Sequence, residues 1–510
     1  MRGVGDFRAG VVTRRRAEHG AEDQEFGDRA QGTAGPKEGV INIHLDGESY
    51  SLDGVWCSSV TGVNTTLPRR ISFWSAVAIL VGSTIGSGIF RSPAGIADRL
   101  PAPVPLLGVW VVGGMLALCG ALTLAEVSGA FPDTGGLYVF IREGWGELPA
   151  FLFGWAELVI IRAAALGALS TAFAEYLIRV LGYDPRSAPY DHWVHYIAAA
   201  AIAVVGWLNC RGVRWGTLLQ NATTLIKCGG LLVLVVLALA LGRHAAGGHP
   251  LPSVPVQPPT SSGIVAFGLA LVSVLWVYDG WADVSFVAGE VDNPTRNLPR
   301  VLLLGTVLVI AIYVLVNVAY LTVLPISELR HSHLVAADVA DRLVGRSGVV
   351  AIGLIVMIST FGTLNGSMIT GPRVLWAMAH DGLLFKALAK VHPRYETPYV
   401  AILVTMALGI VFVSLQTFEQ LADTFVTAIL PFYALAVAAV FPLRQRASYH
   451  PPFRTLGYPV TPIFFIAATL YLFVTAFADP TARVPTGVVF LVILAGIPVY
   501  RVIKKNRRSS

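Results

Sequence analysis

The chain has 510 residues, a formal net charge of +6 and 13% charged residues, with a mean hydropathy of +0.65. Soluble proteins carry about 25% charged residues, so a large water-soluble domain is excluded and lipid is the expected solvent. The surplus of Lys and Arg collects at loop ends and in 501-RVIKKNRRSS-510, a pattern that suits an anionic membrane surface and not a nucleic acid.

In chain order, residues 1–70 come first. They are polar and glycine-rich, with Arg14, Arg15 and Arg16 adjacent. No apolar core follows the arginines, so this is no secretory signal; an unstructured cytoplasmic tail is expected. Twelve apolar windows follow: 71–98, 105–128, 150–180, 195–208, 217–241, 262–289, 301–323, 348–378, 398–415, 419–441, 458–477 and 485–503. Windows of about 20 apolar residues cross the ~30 Å of hydrocarbon in a bilayer. Basic residues such as Arg69, Arg70, Arg142, Arg211, Arg296 and Arg300 fall on alternate loops, which predicts both termini in the cytoplasm. Cys57, Cys119, Cys210 and Cys228 show no metal-ligand spacing and no disulfide framework.

Two windows are interrupted. The first contains 82-GSTIGSGIF-90, with glycine and serine where a helix should be most regular. The sixth contains 275-LWVYDGWAD-283, with Asp279, Gly280 and Asp283 in an apolar run. They open two halves of five windows each, 71–241 and 262–441, joined by an extracytoplasmic loop at 242–261; 442–503 supplies two further spans and 504–510 a basic tail. Broken segments at matching positions in two halves point to an inverted-repeat transporter. Unpaired peptide groups are tolerable in a membrane only where they line a cavity or are buried in protein. Freed N–H groups at Gly86, Ser87 and Gly88 would hold an anion such as a carboxylate, and freed C=O groups near Val277 a cation such as an ammonium. A small molecule with both is an α-amino acid. The Gly82-xxx-Gly86 spacing also fits close helix packing, and taken alone it leaves both readings open.

Four blocks then carry a family resemblance: 86-GSGIF-90, 125-AEVSGAFPDTGGLYVFIREGWG-146, 278-YDGWADVSFVAGEVDNPTRNLPR-300 and 359-STFGTLNGSMITGPRVLWAMAHDGLLFKALAKVHPRYETP-398. In this order they resemble the amino acid–polyamine–organocation superfamily, and within it the L-type amino acid transporter branch. The resemblance implies an all-α membrane protein of 12 transmembrane helices, a LeuT-type five-plus-five inverted repeat with two peripheral helices, working by alternating access without cofactor or metal. It implies that Ser87 and Gly88 take the substrate carboxylate, that Thr84, Ile85 and Gly86 line the same bend, and that the carbonyls of Trp276, Val277 and Tyr278 face the ammonium. Trp276 falls where the family has an aromatic that closes over the side chain. Asp279 stands where many animal members have glycine, and either holds a cation or bonds nearby backbone.

Lys227, deep in 218-LLQNATTLIKCGGLLVLV-235, is costly in a bilayer and so a functional candidate. The resemblance places it as a substitute for the sodium ion of sodium-coupled relatives, either as a fixed charge or as a proton carrier. Arg162 lies inside the third span and is expected to pair with an acid or a helix end. Glu126, Asp133, Glu290, Arg296 and Arg300 form either an inner gate of ion pairs or ordinary solvated loops. The loop 180-VLGYDPRSAPYDHWVH-195 has no cysteine, so no disulfide-linked heavy chain is expected. No HExxH pair or GxSxG elbow suggests an enzyme. The expected function is sodium-independent transport of L-amino acids, uncharged ones first, by exchange or proton symport. The alternatives are a cationic amino acid or polyamine carrier, or a sensor or channel on the same fold.

Overall fold

The computed structural model describes residues 42–45, 48–51, 67–185, 187–245, 263–332, 334–478 and 483–509. Ahead of the membrane unit, β1 (Asn42–Leu45) and β2 (Glu48–Ser51) pair antiparallel, with Asn42 opposite Ser51. The rest of the expected tail, Cys57 and most of the 242–261 loop lie outside the described residues.

The described residues from Leu67 onward form one compact helical unit. Its helices are α1 (Phe73–Thr84), α2 (Gly88–Arg99), α3 (Pro103–Ala130), α4 (Leu137–Trp145), α5 (Glu147–Ala156), α6 (Arg162–Val180), α7 (Tyr190–Cys210), α8 (Val213–Ala245), α9 (Gly263–Tyr278) and α10 (Pro294–Val323). After them come α11 (Ile326–Leu329), α12 (Val335–Val344), α13 (Arg346–His380), α14 (Tyr399–Leu415), α15 (Phe418–Ala438), α16 (Val440–Arg444), α17 (Val460–Ala478), α18 (Arg483–Leu494) and α19 (Gly496–Ser509). Among the described residues eleven helical segments are long and apolar enough to cross a membrane, and Tyr399–Leu415 is a shorter apolar helix. The expected fourth span, 195–208, is extended to Tyr190–Cys210.

The sequence reading did not foresee α4 and α12. Both are short, Leu137–Trp145 and Val335–Val344, so neither shows an apolar run of spanning length.

The polarity is that of a membrane protein. On α8, Leu218, Leu225, Leu232 and Val236 are exposed, while Gln220, Thr223, Thr224 and Lys227 are buried. Those four polar positions recur three or four residues apart, so they share one helix face, and that face looks inward. There Asn365 of α13 donates to Gln220 Oε1 (3.0 Å) and to the Gly216 carbonyl (2.9 Å), and accepts from Asn209 (2.9 Å). Thr417 and Gln420 close a reciprocal capping box that starts α15.

Both interrupted windows are broken in the fold. The first is α1 and α2 separated by bends at residues 85–87; the sixth is α9, a turn at residues 279–282 and a 3-10 segment, Asp283–Glu290. The breaks meet. Gly280 has φ +103°, and a side chain there would lie 2.8 Å from the Ser83 carbonyl carbon and the Thr84 nitrogen. Only glycine allows both the left-handed backbone and that approach. Gly88 has the same purpose on the other side: a Cβ would sit 2.7 Å from Val277 Cγ2.

Candidate substrate site between two broken helices

The first break is organised by Lys227. Its ammonium is fully buried and donates to the carbonyls of Gly82 (2.9 Å), Ile85 (2.7 Å) and Ser359 (3.0 Å), with Thr363 Oγ1 at 3.0 Å. An ammonium has three donors, so every proton is used, and every acceptor is a neutral oxygen. Ser359 and Thr363 of α13 also direct their hydroxyls at Ile85 O, each at 3.0 Å. The bend at Ile85 is thus held open by a charge from α8 and two hydroxyls from α13.

Beyond the bend, α2 starts at Gly88, and Ser87 caps it without a side-chain hydrogen bond. The first amides of a helix have no intrahelical acceptor, so this end offers N–H groups to an anion. The hydroxyls of Ser83 and Ser87 are buried and have no hydrogen-bond partner among the described residues. Buried polar groups are nearly always paired; both hydroxyls belong to residues that line one small cavity.

The second break contributes differently. The Trp276 carbonyl accepts the Asp279 amide at 3.3 Å. Tyr313 of α10 lies within hydrogen-bond distance of both the Val277 carbonyl (2.9 Å) and the Thr84 carbonyl (2.8 Å). One hydroxyl proton therefore bridges the two breaks. A carbonyl has a second lone pair, so Val277 can still meet an ammonium. The Tyr278 side chain turns away from the site: its hydroxyl donates to the Trp110 carbonyl at 3.2 Å. Asp279 accepts from Tyr433 of α15 at 2.7 Å and also from the Gly280 amide of the broken backbone.

Between the breaks lies a small chamber of about 40 Å³, room for roughly three waters. Thr84, Gly86, Ser87, Gly88, Trp276, Val277 and Asp279 all line it; Ile85 and Tyr278 do not. It also takes in residues the sequence reading did not name, Ser367, Leu169 and Phe425 among them. Leu169 and Phe425 carry no sequence signal, because an apolar residue in an apolar span looks the same on either face.

Above the chamber is an open vestibule of about 660 Å³, lined by Arg91, Arg99, Glu175, Arg330, Phe418 and Trp276 among others. Trp276 belongs to both spaces. It stands edge-on to Phe425 (5.3 Å) and Phe418 (6.4 Å), and Arg91 lies over the Phe418 ring at 4.5 Å. An aromatic lid therefore separates vestibule from chamber.

The opposite end is sealed by charge. Arg162 follows a π-helical turn, Glu157–Ile161, pairs with Glu157 (2.5 Å) and reaches Asp283 (3.7 Å), which also accepts from Thr370 (3.1 Å). Buried Glu290 takes Arg373 at 2.9 and 3.3 Å. Buried Glu126 takes Arg444 at 2.8 and 2.6 Å, and the Thr455 amide at 2.6 Å. The start of α1 is tied to the end of the sixth span through Ile71 N to Glu290 O and Asp292 N to Ile71 O, both 2.9 Å. Asp133, Arg296 and Arg300 correct the expected gate: all are exposed and none forms an ion pair among the described residues. Water solvates them at loop edges, while the two buried acids draw their arginines from other helices.

The architecture defines a class: a multi-pass helical membrane protein with two broken spans around a small polar chamber. Residues 71–498 match the family model for amino acid permeases, and the chain belongs to that family. It is similar to the serine/threonine exchanger SteT of Bacillus subtilis, 31% identical over 87% of this chain and 98% of that protein. It is 32% identical to the human cystine/glutamate transporter over 85% of each chain. It is 31% identical to the human b(0,+)-type amino acid transporter 1 over 74% of this chain and 77% of that one. These are transporters and not enzymes, and amino acid transport is the function that the family supports.

Proposed function

We propose that this protein exchanges neutral L-amino acids across the cell membrane, independently of sodium, by alternating access around the chamber between the breaks. Residues 71–241 and 262–441 are read as inverted repeats, with both termini in the cytoplasm and no disulfide-linked partner. The observation that carries the reading is the Lys227 ammonium, seated on four neutral oxygens between the first bend and α13. A cation bound at such a cage would serve the same electrostatic purpose, so a built-in ammonium removes the need for one. The carboxylate of the substrate then meets the amides of Ser87 and Gly88, and its ammonium the second lone pair of Val277 O. The opposite helix termini supply the matching partial charges.

Exchange follows if the loaded carrier reorients more easily than the empty one. The exchanger named among the relatives supports this mode. A second reading, proton symport, rests on the same lysine: an ammonium without a carboxylate partner loses its proton more easily when its surroundings dry.

Purified protein in liposomes tests the reading. Exchange requires that internal unlabelled serine accelerate entry of labelled serine, and that choline replace sodium without effect. Uptake that needs an inward proton gradient and ignores internal substrate would establish symport instead. A steep sodium requirement would overturn the assignment to Lys227.

A further inference from the structure

Asp279 and Phe425 line two cavities. One is the polar chamber. The other, about 20 Å³, lies between α3, α9, α15 and α17, and its walls include Leu116, Leu275, Ile429, Leu430, Trp281 and Phe465. It is mainly apolar: Thr469 of α17 donates its hydroxyl proton to the Phe465 carbonyl (2.9 Å), and at the wall shared with the chamber the Asp279 carboxylate accepts from Tyr433 at 2.7 Å. Tyr433 itself is held in place by Trp281, at 5.2 Å between ring centroids.

We propose that Asp279, fastened by Tyr433, is a partition that closes the apolar cavity off from the substrate chamber and so restricts this carrier to amino acids with small side chains. The inference rests on the amino-acid carrier reading and adds the side-chain class. The amino and carboxyl groups of a substrate are gripped by the two breaks, so the side chain must leave the chamber in another direction. Toward the vestibule it meets Trp276, and toward the opposite end the Arg162 cluster. Toward α6 and α13 it meets Ala165, Leu169, Thr363 and Ser367, and the shared wall is the side with the small apolar cavity behind it. With the wall in place, the space left beside the gripped amino and carboxyl groups limits the side chain to the size of a methyl or hydroxymethyl group. Without it, a branched or aromatic side chain would enter an apolar lining made of the residue types that bind one.

Purified wild type, Asp279→Gly, and the double variant Asp279→Gly/Tyr433→Phe, which leaves no hydroxyl stranded, are compared in liposomes preloaded with serine. Unlabelled L-serine, L-leucine and L-arginine compete against labelled serine. Wild type is expected to prefer serine over leucine by at least about tenfold, the discrimination that a few methylenes supply in a pocket. Both variants are expected to reverse or abolish that preference. Phe425→Ala opens the wall from its other shared residue, so it keeps the test alive should the Asp279 variants fail to fold, and it predicts the same shift. An unchanged serine-to-leucine ratio in folded variants overturns the partition. So does wild-type uptake of arginine that Asp279→Gly abolishes, since the carboxylate would then be a ligand. Wild-type protein that binds and moves no amino acid removes the carrier reading itself, and this inference with it.

Discussion

The two breaks solve one problem by opposite means. At the first, the chain exposes carbonyls at Gly82 and Ile85, and a buried cation, Lys227, satisfies them from a neighbouring helix. At the second, the chain supplies its own anions, Asp279 and Asp283, and neighbouring helices send donors to them: Tyr433, Thr370 and Arg162. A broken helix in a membrane must have its peptide groups satisfied, but the sign of the group that does so is free. The difference teaches where each break is adjustable. Lys227 is fully buried and uses every proton it has, so the first break is fixed in shape. Asp279 is half-buried and held by one side-chain hydroxyl and the adjacent Gly280 amide, so the second break is where selectivity can be altered.

The sharpest way to break that comparison is Lys227→Ala. If the first break is held by this ammonium, the variant strands several buried oxygens, each worth about 1–3 kcal/mol when unpaired, and transport should fall to background. Size-exclusion chromatography in detergent should still show a folded monodisperse protein, since the helices around the site keep their apolar packing. Full uptake would mean that water or α13 alone holds the bend, and the contrast between the breaks would vanish.

Gly280→Ala comes next, because it asks whether the breaks must touch. The new methyl meets backbone atoms of Ser83 and Thr84 that cannot rotate away, and it does so at φ +103°. Left-handed strain and overpacking together should cost about 2–5 kcal/mol, read as a lower melting temperature and a reduced yield. A variant as stable as wild type would show that the two breaks are not locked to one another at that point.

Much of this was legible in the amino-acid order, and the reason is physical. A bilayer makes the backbone's needs conspicuous: glycines and serines at 82–88, an acid at 279 and a lysine at 227 are all expensive in an apolar run, so each announces a site. Partners are another matter. Arg373 lies 83 positions from Glu290, Arg444 lies 318 from Glu126, and Tyr433 lies 154 from Asp279. Nothing local marks which distant side chain will arrive. For the same reason Arg296 and Arg300, close in sequence to Glu290, looked like its gate partners, whereas the fold turns them outward. Gly88 shows a third limit. Read as an opening for a carboxylate, it is also where Val277 packs, and sequence alone does not separate an approach by ligand from an approach by helix.

The smallest expected effect sharpens the comparison most finely, since it touches both breaks at once. The Tyr313 hydroxyl has one proton and two carbonyls within reach, Thr84 at 2.8 Å and Val277 at 2.9 Å. Tyr313→Phe removes that proton and nothing else of the ring, which packs edge-on to Trp110 and Tyr278 at 5.8 and 5.0 Å. A net hydrogen bond is worth about 0.5–1.5 kcal/mol, so stability should fall by no more than that. If the bridge only fastens one break to the other, the loss appears as a small fall in melting temperature with the substrate's apparent affinity unchanged. If Val277 O is the seat of the substrate ammonium, the variant frees that oxygen from its competitor, and affinity for serine should rise severalfold while stability falls. A lower affinity would contradict both outcomes and move the ammonium to another oxygen.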